Sequence, residues 1–337
     1  MKVTLKDIAE RAGVSINTVS LALRNMPNVQ HDTRKRIFDI ANELGYFSRK
    51  KIVEAKNLCL VSKADRLNDT YFYMNFYQNI LNKARNYNYN MLVYTSAGCD
   101  IPVQELKKNF EANSIKGIIL LGDMEESIVR KILKCEIPVV AIGAKYHELP
   151  ICSFIEDNLE GAYVALRHLH DRGYRKIGFI GSPIYSTSFM ERYQGYCGAI
   201  FQLGLTMSRE YNITDINHND ENCHMLIEKQ LREMEEIPEA FLCANDYLAI
   251  LTTKALYSLG LSVPEDVALV GFDYSSQGRM FLPAVTSVDV QYELQADVVL
   301  KTLMAFIRAG QYDEQCVMLP IAFQEADSVG DLTEKRV

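Results

Sequence analysis

Residues 4–24 read TLKDIAERAGVSINTVSLALR, and the placement of their apolar side chains decides the fold of the amino-terminal end. Ile8, Ala9, Ala12, Val14, Val19 and Ala22 are spaced so that two short helices bury facing stripes. Gly13 supplies the backbone freedom for a sharp turn between them. Thr4 with Asp7 forms a capping-box-like start, and Ser15 is a good N-cap for the second helix. The spacing therefore predicts a helix-turn-helix. Asn17, Thr18 and Ser20 stay on the outer face of its second helix, with Ile16 and Leu21 among them. In such a motif that helix lies in the major groove with its first residues near base edges. An amphipathic hairpin that never meets DNA is the plainer alternative.

The flanking sequence favours DNA. A third helix is predicted over Asp32–Leu44, with Ile37, Ile40, Ala41 and Leu44 on one face and Gly45 ending it. Residues 1–52 carry ten basic and five acidic side chains. The whole chain is −7, so a +5 segment precedes a body of −12. A basic head suits phosphate contact, and an acidic body does not.

A chain of 337 residues with 48% hydrophobic content is too long for one ordinary domain and ample for a large core. It has no apolar run long enough to span a bilayer, and MKVTLKDIAERAG is no signal peptide, so a cytoplasmic location without membrane attachment is expected. The eight cysteines are dispersed without CxxC or zinc-like spacing. They read as reduced thiols, Cys223–His224 included.

From Leu58 the pattern changes to short apolar runs alternating with amphipathic stretches. Strands are predicted at 58–62, 91–95, 117–121, 138–142, 152–156, 176–181, 240–244 and 267–271. Helices are predicted near 74–87, 103–112, 125–134, 158–171, 190–203, 222–234, 246–259 and 293–309. Continuous apolar strands followed by helices imply parallel sheets covered on both faces, here in two α/β lobes. Such lobes take ligands at the carboxyl ends of their strands.

No catalytic motif stands out: GxxxxGK[ST], GxGxxG after a strand, HExxH and GxSxG are all missing. His168 and His170, one residue apart on a helix, point in different directions. Neither an enzyme activity nor a cofactor or metal is expected.

The runs LKDIAERAGVSINTVSLALRN and TRKRIFDIANELGY closely resemble the headpiece of the LacI/GalR family of bacterial transcription regulators. The resemblance resumes in DNLEGAYVALRHLHDRGYRKIGFIGSP, ERYQGY, FLCANDYLAI, VPEDVALVGFD and LPAVTSVDV. It implies a three-helix DNA-binding domain at 1–46, a basic linker or hinge at 47–57 and a two-lobed, periplasmic-binding-protein-like effector domain at 58–337. The chain would cross between lobes more than once, with a first lobe of about 58–157 plus 289–320 and a second of about 158–288 plus 321–337. The implied function is a dimeric transcription regulator, a repressor at a palindromic operator, controlled by a small effector such as a sugar or sugar derivative bound between the lobes. A two-lobed sugar receptor without a regulatory role and an α/β enzyme fused to a DNA-binding head are the alternatives. The headpiece argues against the first, and the lack of a catalytic constellation against the second.

Candidate DNA contacts are Thr4, Ser15, Ile16, Asn17, Thr18, Ser20, Leu21 and Arg24, with Arg49, Lys50 and Lys51 in the linker. Candidate effector contacts are polar groups at strand ends. Asp273 follows LVGF, and an ionised carboxylate there can accept hydrogen bonds from adjacent hydroxyls. Arg192, expected to begin a helix after a loop at 182–189, offers a planar fork of donors. Asn245, after FLCA, carries both a donor and an acceptor. The resemblance implies effector contacts at these three positions; a helix cap, a turn and an ion pair are what they would otherwise be. Tyr71, Phe72, Tyr73 and Tyr292 are aromatic candidates.

Three departures from the family pattern bear on recognition. Gly143–Ala144–Lys145 replaces the acidic residue that many sugar-binding relatives carry after this strand, which opens the way to a charged or modified effector. The linker FSRKKIVEAKN lacks the usual proline and hinge leucine, leaving Ile52 or Val53 as a wedge or the whole as a basic tether. Leu21 stands where many relatives have arginine, exchanging a guanine contact for an apolar one. The carboxyl terminus has no leucine heptads, so a tail-mediated tetramer is not expected.

Overall fold

The computed structural model describes residues 3–23, 29–44, 46, 56–67, 73–217, 220–310 and 315–333. The chain divides into two compact units, Met1–Lys56 and Asn57–Val337.

The first unit holds α1 (Leu5–Ala12), α2 (Ile16–Leu23) and α3 (His31–Glu43). Thr4 donates from its backbone N–H and its hydroxyl to the Asp7 carboxylate at 2.6 and 2.9 Å, which fixes the start of α1. Gly13 ends that helix at φ +64°, the left-handed turn the sequence required. Ser15 Oγ then accepts from Thr18 N at 3.0 Å and opens α2. Ile8, Ala9, Ala12, Val19, Ala22, Val29, Ile37 and Ala41 form the buried centre of the three helices. Gly45 lies outside the described residues.

The second unit contains two sheets. One has the order β10-β5-β4-β3-β1-β2, built from β1 (Asn57–Ser62), β2 (Asn90–Thr95), β3 (Ile115–Leu121), β4 (Val139–Ile142), β5 (Cys152–Glu156) and β10 (Cys316–Leu319), all parallel. The other has the order β11-β9-β8-β7-β6, from β6 (Ile177–Ile180), β7 (Ala240–Cys243), β8 (Ala268–Asp273), β9 (Thr286–Asp289) and β11 (Ala322–Gln324). Alternation along the strands explains their unbroken apolar sequences. Leu58 and Leu60 enter one core, Cys59 and Val61 the core on the opposite face, and Ile118–Leu121 in β3 alternate likewise.

The chain passes from the first sheet to the second after β5, returns after β9, and crosses again between β10 and β11. Helix Tyr292–Ala309 packs through Ala296, Val299, Leu300 and Leu303 against the first sheet. Two features differ from expectation. The edge strand β11 is antiparallel to β9: the chain enters the second sheet from β10 through residues 320–321, so β11 runs away from the strand ends that β9 approaches. Asp289 closes β9 in the second sheet instead of opening the first lobe. All eight cysteines are free; Cys316 is exposed, and the others are buried or half-buried.

Candidate functional site

The exposed face of α2 begins at Ile16, which is 49% exposed, and continues through exposed Asn17. Ser15 and Thr18 are already engaged with each other, their hydroxyl oxygens 2.8 Å apart, so part of their polarity holds the helix start. Thr4 likewise caps α1. Ser20 and Leu21 are half-buried, and Leu21 packs against the head's own core, leaving only part of its side chain for an apolar contact. Among the described candidates Asn17 is therefore the freest hydrogen-bonding group. Arg24, Arg49, Lys50 and Lys51, with Ile52 and Val53, lie outside the described residues.

In the second unit the carboxyl ends of the two sheets face a common cleft. The helix carrying Arg192 spans Thr187–Gln202, so Arg192 sits in its second turn rather than at its start. The reason is Ser186, whose hydroxyl caps the helix by accepting from Phe189 N at 3.2 Å. From there the Arg192 guanidinium reaches three acceptors. Its Nη1 donates to Ala244 O at 2.7 Å and lies 3.1 Å from Asp273 Oδ1, and its Nε donates to Asn158 Oδ1 at 2.9 Å. The guanidinium also stacks 3.7 Å from the centre of the Phe272 ring. Arg192 and Asp273 have side chains only 3% exposed, so each charge relies on the other.

Asn245 does two things at once. Its Oδ1 caps helix Asp246–Ser258 by accepting from Leu248 N at 2.9 Å, the role sequence alone allowed, and the residue also lines the cavity beside Arg192 and Asp273. Tyr73 joins them, with its hydroxyl against Gly122 at the end of β3. These four residues share a cavity with Gly143, Tyr185, Ser186, Ser188 and Phe189. Tyr292 does not join: it lines a separate open groove of about 730 Å³ with Tyr274, Arg279 and Asp289, because it begins the helix that leads away into the first lobe. Tyr71 and Phe72 lie outside the described residues.

Sequence reasoning missed the groups that shape this cleft. Asp246 is fully buried, accepting from Ser275 N and Ser287 Oγ, each at 2.6 Å. Burial pushes its carboxyl up to about 6. It packs so closely that a Cβ on Gly271 or Gly278 would collide with its oxygens. Its bonds hold the turn after β8, where Asp273 and Tyr274 adopt φ of +100° and +53°. Two successive non-glycine residues in that region are strained, and the buried Asp246 holds them there. The signal was present as an acid directly after the Asn245 cap, but its reach to residues 29 and 41 positions away was not.

Contacts between the lobes close the cleft. Lys145 Nζ, in the departure after β4, donates to Glu191 Oε1 at 2.9 Å, and Glu191 Oε2 accepts from Asn158 Nδ2 at 2.9 Å. Asn158 is the same residue that receives Arg192, so a continuous polar chain runs Asp273–Arg192–Asn158–Glu191–Lys145 from one lobe to the other. The carboxylate raises the affinity of Lys145 for its proton. Arg66, after β1, donates to Tyr185 O of the second lobe at 2.9 Å and stacks 3.7 Å from that ring's centre. The cavity is about 30 Å³, room for water but well short of the 300 Å³ or more of ordinary ligand pockets. In this arrangement the cavity has no room for a sugar-sized molecule.

At the crossing after β5, Glu156 is buried, and desolvation raises its carboxyl above the ordinary range. Gln295 Nε2 donates to its Oε1 at 3.3 Å. No cluster of metal-ligating side chains occurs among the described residues. No described helix is long and apolar enough to cross a membrane.

Comparison with known proteins agrees with this architecture at both ends. Residues 4–48 match the lacI family of bacterial regulatory proteins, and residues 166–329 match the periplasmic binding protein-like domain. The "Probable HTH-type transcriptional repressor ExuR" of Bacillus subtilis (strain 168) is 27% identical, covering 98% of this chain and 99% of its own length. Catabolite control protein A of Priestia megaterium is also 27% identical, over 95% of this chain and 97% of its own. The lac repressor dimer bound to operator and the anti-inducer ONPF superposes with a TM-score of 0.70 at 18% identity, over 98% of this chain and 100% of that one. This chain thus joins a DNA-binding head of the lacI family of bacterial regulatory proteins to a periplasmic-binding-protein-like domain of two lobes, and its homologues are LacI/GalR regulators.

Proposed function

We infer that this protein is a transcription regulator that binds a palindromic operator as a homodimer, represses from it, and changes its operator affinity when a small effector occupies the cleft. Its place of work is then the cytoplasm. The observation that carries the reading is the pairing, in one chain, of a Ser15-capped helix exposing Asn17 with an interlobe cleft whose Arg192, Asp273 and Asn245 converge on one cavity. Relatives named as repressors, matched over nearly their whole length, support the regulatory half. A sugar or sugar derivative suits the cleft because a carboxylate, a guanidinium and an amide together offer the mixed acceptors and donors that vicinal hydroxyls need. A structure of similar fold is a complex with cellobiose, at 23% identity, with a TM-score of 0.69, over 97% of this chain and 99% of that one.

Control requires that the effector favour one lobe arrangement over the other, since equal affinity for both would shift nothing. The polar chain from Asp273 to Lys145 gives the site and the closure contact a shared component. The test is selection of a binding site from random DNA, followed by anisotropy titrations across salt concentrations. A palindromic site and a steep fall of log affinity with log salt are expected, reflecting several phosphates per dimer. A flat salt plot, or tight binding to one half-site by a monomer, contradicts the reading.

A further inference from the structure

We propose that the effector carries an acidic group, a carboxylate or a phosphate on a sugar-like body, and that Arg66 is the residue that receives it. The inference rests on the effector-cleft reading above and names the chemical class of that ligand.

Arg66 stands on the first-lobe side of the cleft and its side chain is only 4% exposed. Its guanidinium stacks on Tyr185 at 3.7 Å and lies 5.7 Å from the centre of the Tyr73 ring, and both rings line the cavity that holds Arg192 and Asp273. Only Nη2 is hydrogen-bonded, to Tyr185 O at 2.9 Å and to Asp123 Oδ1 at a long 3.4 Å. Nε and Nη1 are buried without a hydrogen-bond partner.

A guanidinium kept for structure would spend its fork on the neighbouring carboxylate. Asp123 does not serve that way here: it meets Arg66 through one long contact of 3.4 Å, and its other oxygen accepts from Lys63 at 3.2 Å. Lys63 also lies 3.7 Å from Glu125, so these two carboxylates are shared with Lys63 while Nε and Nη1 of Arg66 stay unused as donors. Buried donors without acceptors are costly, and the cost is recovered when an oxygen arrives. An anionic oxygen forms a stronger bond than a hydroxyl does. The turn after β4, Gly143–Ala144–Lys145, carries no carboxylate of its own to repel an anion. Arg66 thus brings two unpaired donors to the first-lobe side of the cleft, while Asp273 and Asn245 on the other side remain suited to hydroxyls.

The test uses matched pairs on the full-length protein: glucose with glucuronate, galactose with galacturonate, and glucose and fructose with their 6-phosphates. Calorimetric titration of the wild type is expected to give at least one acidic member bound ~10-fold or more tightly than its neutral parent, the margin a charge-assisted bond holds over a neutral one. Arg66→Gln should bring that acidic member down to the affinity of its parent, and Arg66→Lys should restore part of the difference. Preference for carboxylates or for phosphates across the panel identifies which anion the site takes. Neutral sugars binding as tightly as their acidic partners overturn the anion subsite and leave the cleft reading standing. Binding by no member of the panel overturns both. The wild-type comparison decides the matter even if Arg66→Gln fails to fold.

Discussion

Arg192 and Asp273 meet 3.1 Å apart at the base of the cleft, each with a side chain about 3% exposed. The pair is both a structural tie and the polar floor of the candidate effector site, and these two roles cannot be separated by deleting one partner. Arg192→Ala or Asp273→Ala leaves a buried charge uncompensated, which costs about 3–5 kcal/mol. Both single variants should therefore lose stability in urea denaturation. The double variant Arg192→Ala/Asp273→Ala should lose less than the sum of the singles by about 1–3 kcal/mol. Strict additivity would show that the two charges do not depend on each other.

The Lys145–Glu191 contact spans the lobes and is partly exposed, so it is worth about 1 kcal/mol or less. Lys145→Gln should raise the ratio of open to closed molecules by up to ~5-fold. Fluorescence transfer between dyes placed one on each lobe would measure this. Half-molar salt should move the wild type in the same direction and the variant less. An unchanged open fraction in Lys145→Gln at low salt would remove this contact from the closing mechanism.

Asp246 gives a pH signature. Burial holds its folded-state carboxyl at about 6 against an ordinary 3.8, so the folded protein keeps this proton more readily than the unfolded chain does. The stabilisation is fully present below about pH 4 and is lost as pH rises through 6, on the order of 3 kcal/mol. Wild-type stability should fall relative to Asp246→Asn by roughly that amount between pH 4 and pH 7 in chemical denaturation. A pH-independent difference between the two proteins would contradict this.

His168 should act in the opposite sense. It is buried, lies beside Phe323 and accepts from Arg172 at 3.0 Å through Nδ1, which requires a neutral ring; burial first and the Arg172 charge second lower it to about 4. Its contribution is therefore present above pH 6.5 and is lost as pH falls toward 4. Titration of the ring followed by nuclear magnetic resonance should give a value well under 6, and a value near 6.5 would refute the assignment.

In the head, Asn17→Ala should relax base preference at one symmetric pair of operator positions by roughly 1–3 kcal/mol per contact. Selection from a random DNA library would read this out. Return of the same preferred site for variant and wild type would misplace the reading helix.

Much of this was legible in the sequence because local physics decided it. The head follows from Thr4–Asp7 capping, the left-handed turn at Gly13 and the Ser15 cap, all of which act within four residues. Alternation along β1 and β3 encoded burial on both sheet faces, and the apolar runs gave the parallel strands. Arg192, Asn245 and Asp273 were readable as polar residues at or near strand ends, and their convergence was implied by resemblance. The start of the Arg192 helix was misjudged because Ser186 was not recognised as its cap.

What only the tertiary structure decided is a matter of distance along the chain. Arg66 meets Tyr185 across 119 positions, and Asp246 meets Ser275 across 29 and Ser287 across 41. No periodicity registers such pairs, since they depend on how two separately twisted sheets and three crossings bring their strand ends together. The same applies to the antiparallel edge strand β11, to the exclusion of Tyr292 from the cavity, and to the unused donors of Arg66. Sequence set each strand and cap through neighbouring residues; the charge and shape of the cleft arose only where the two lobes met.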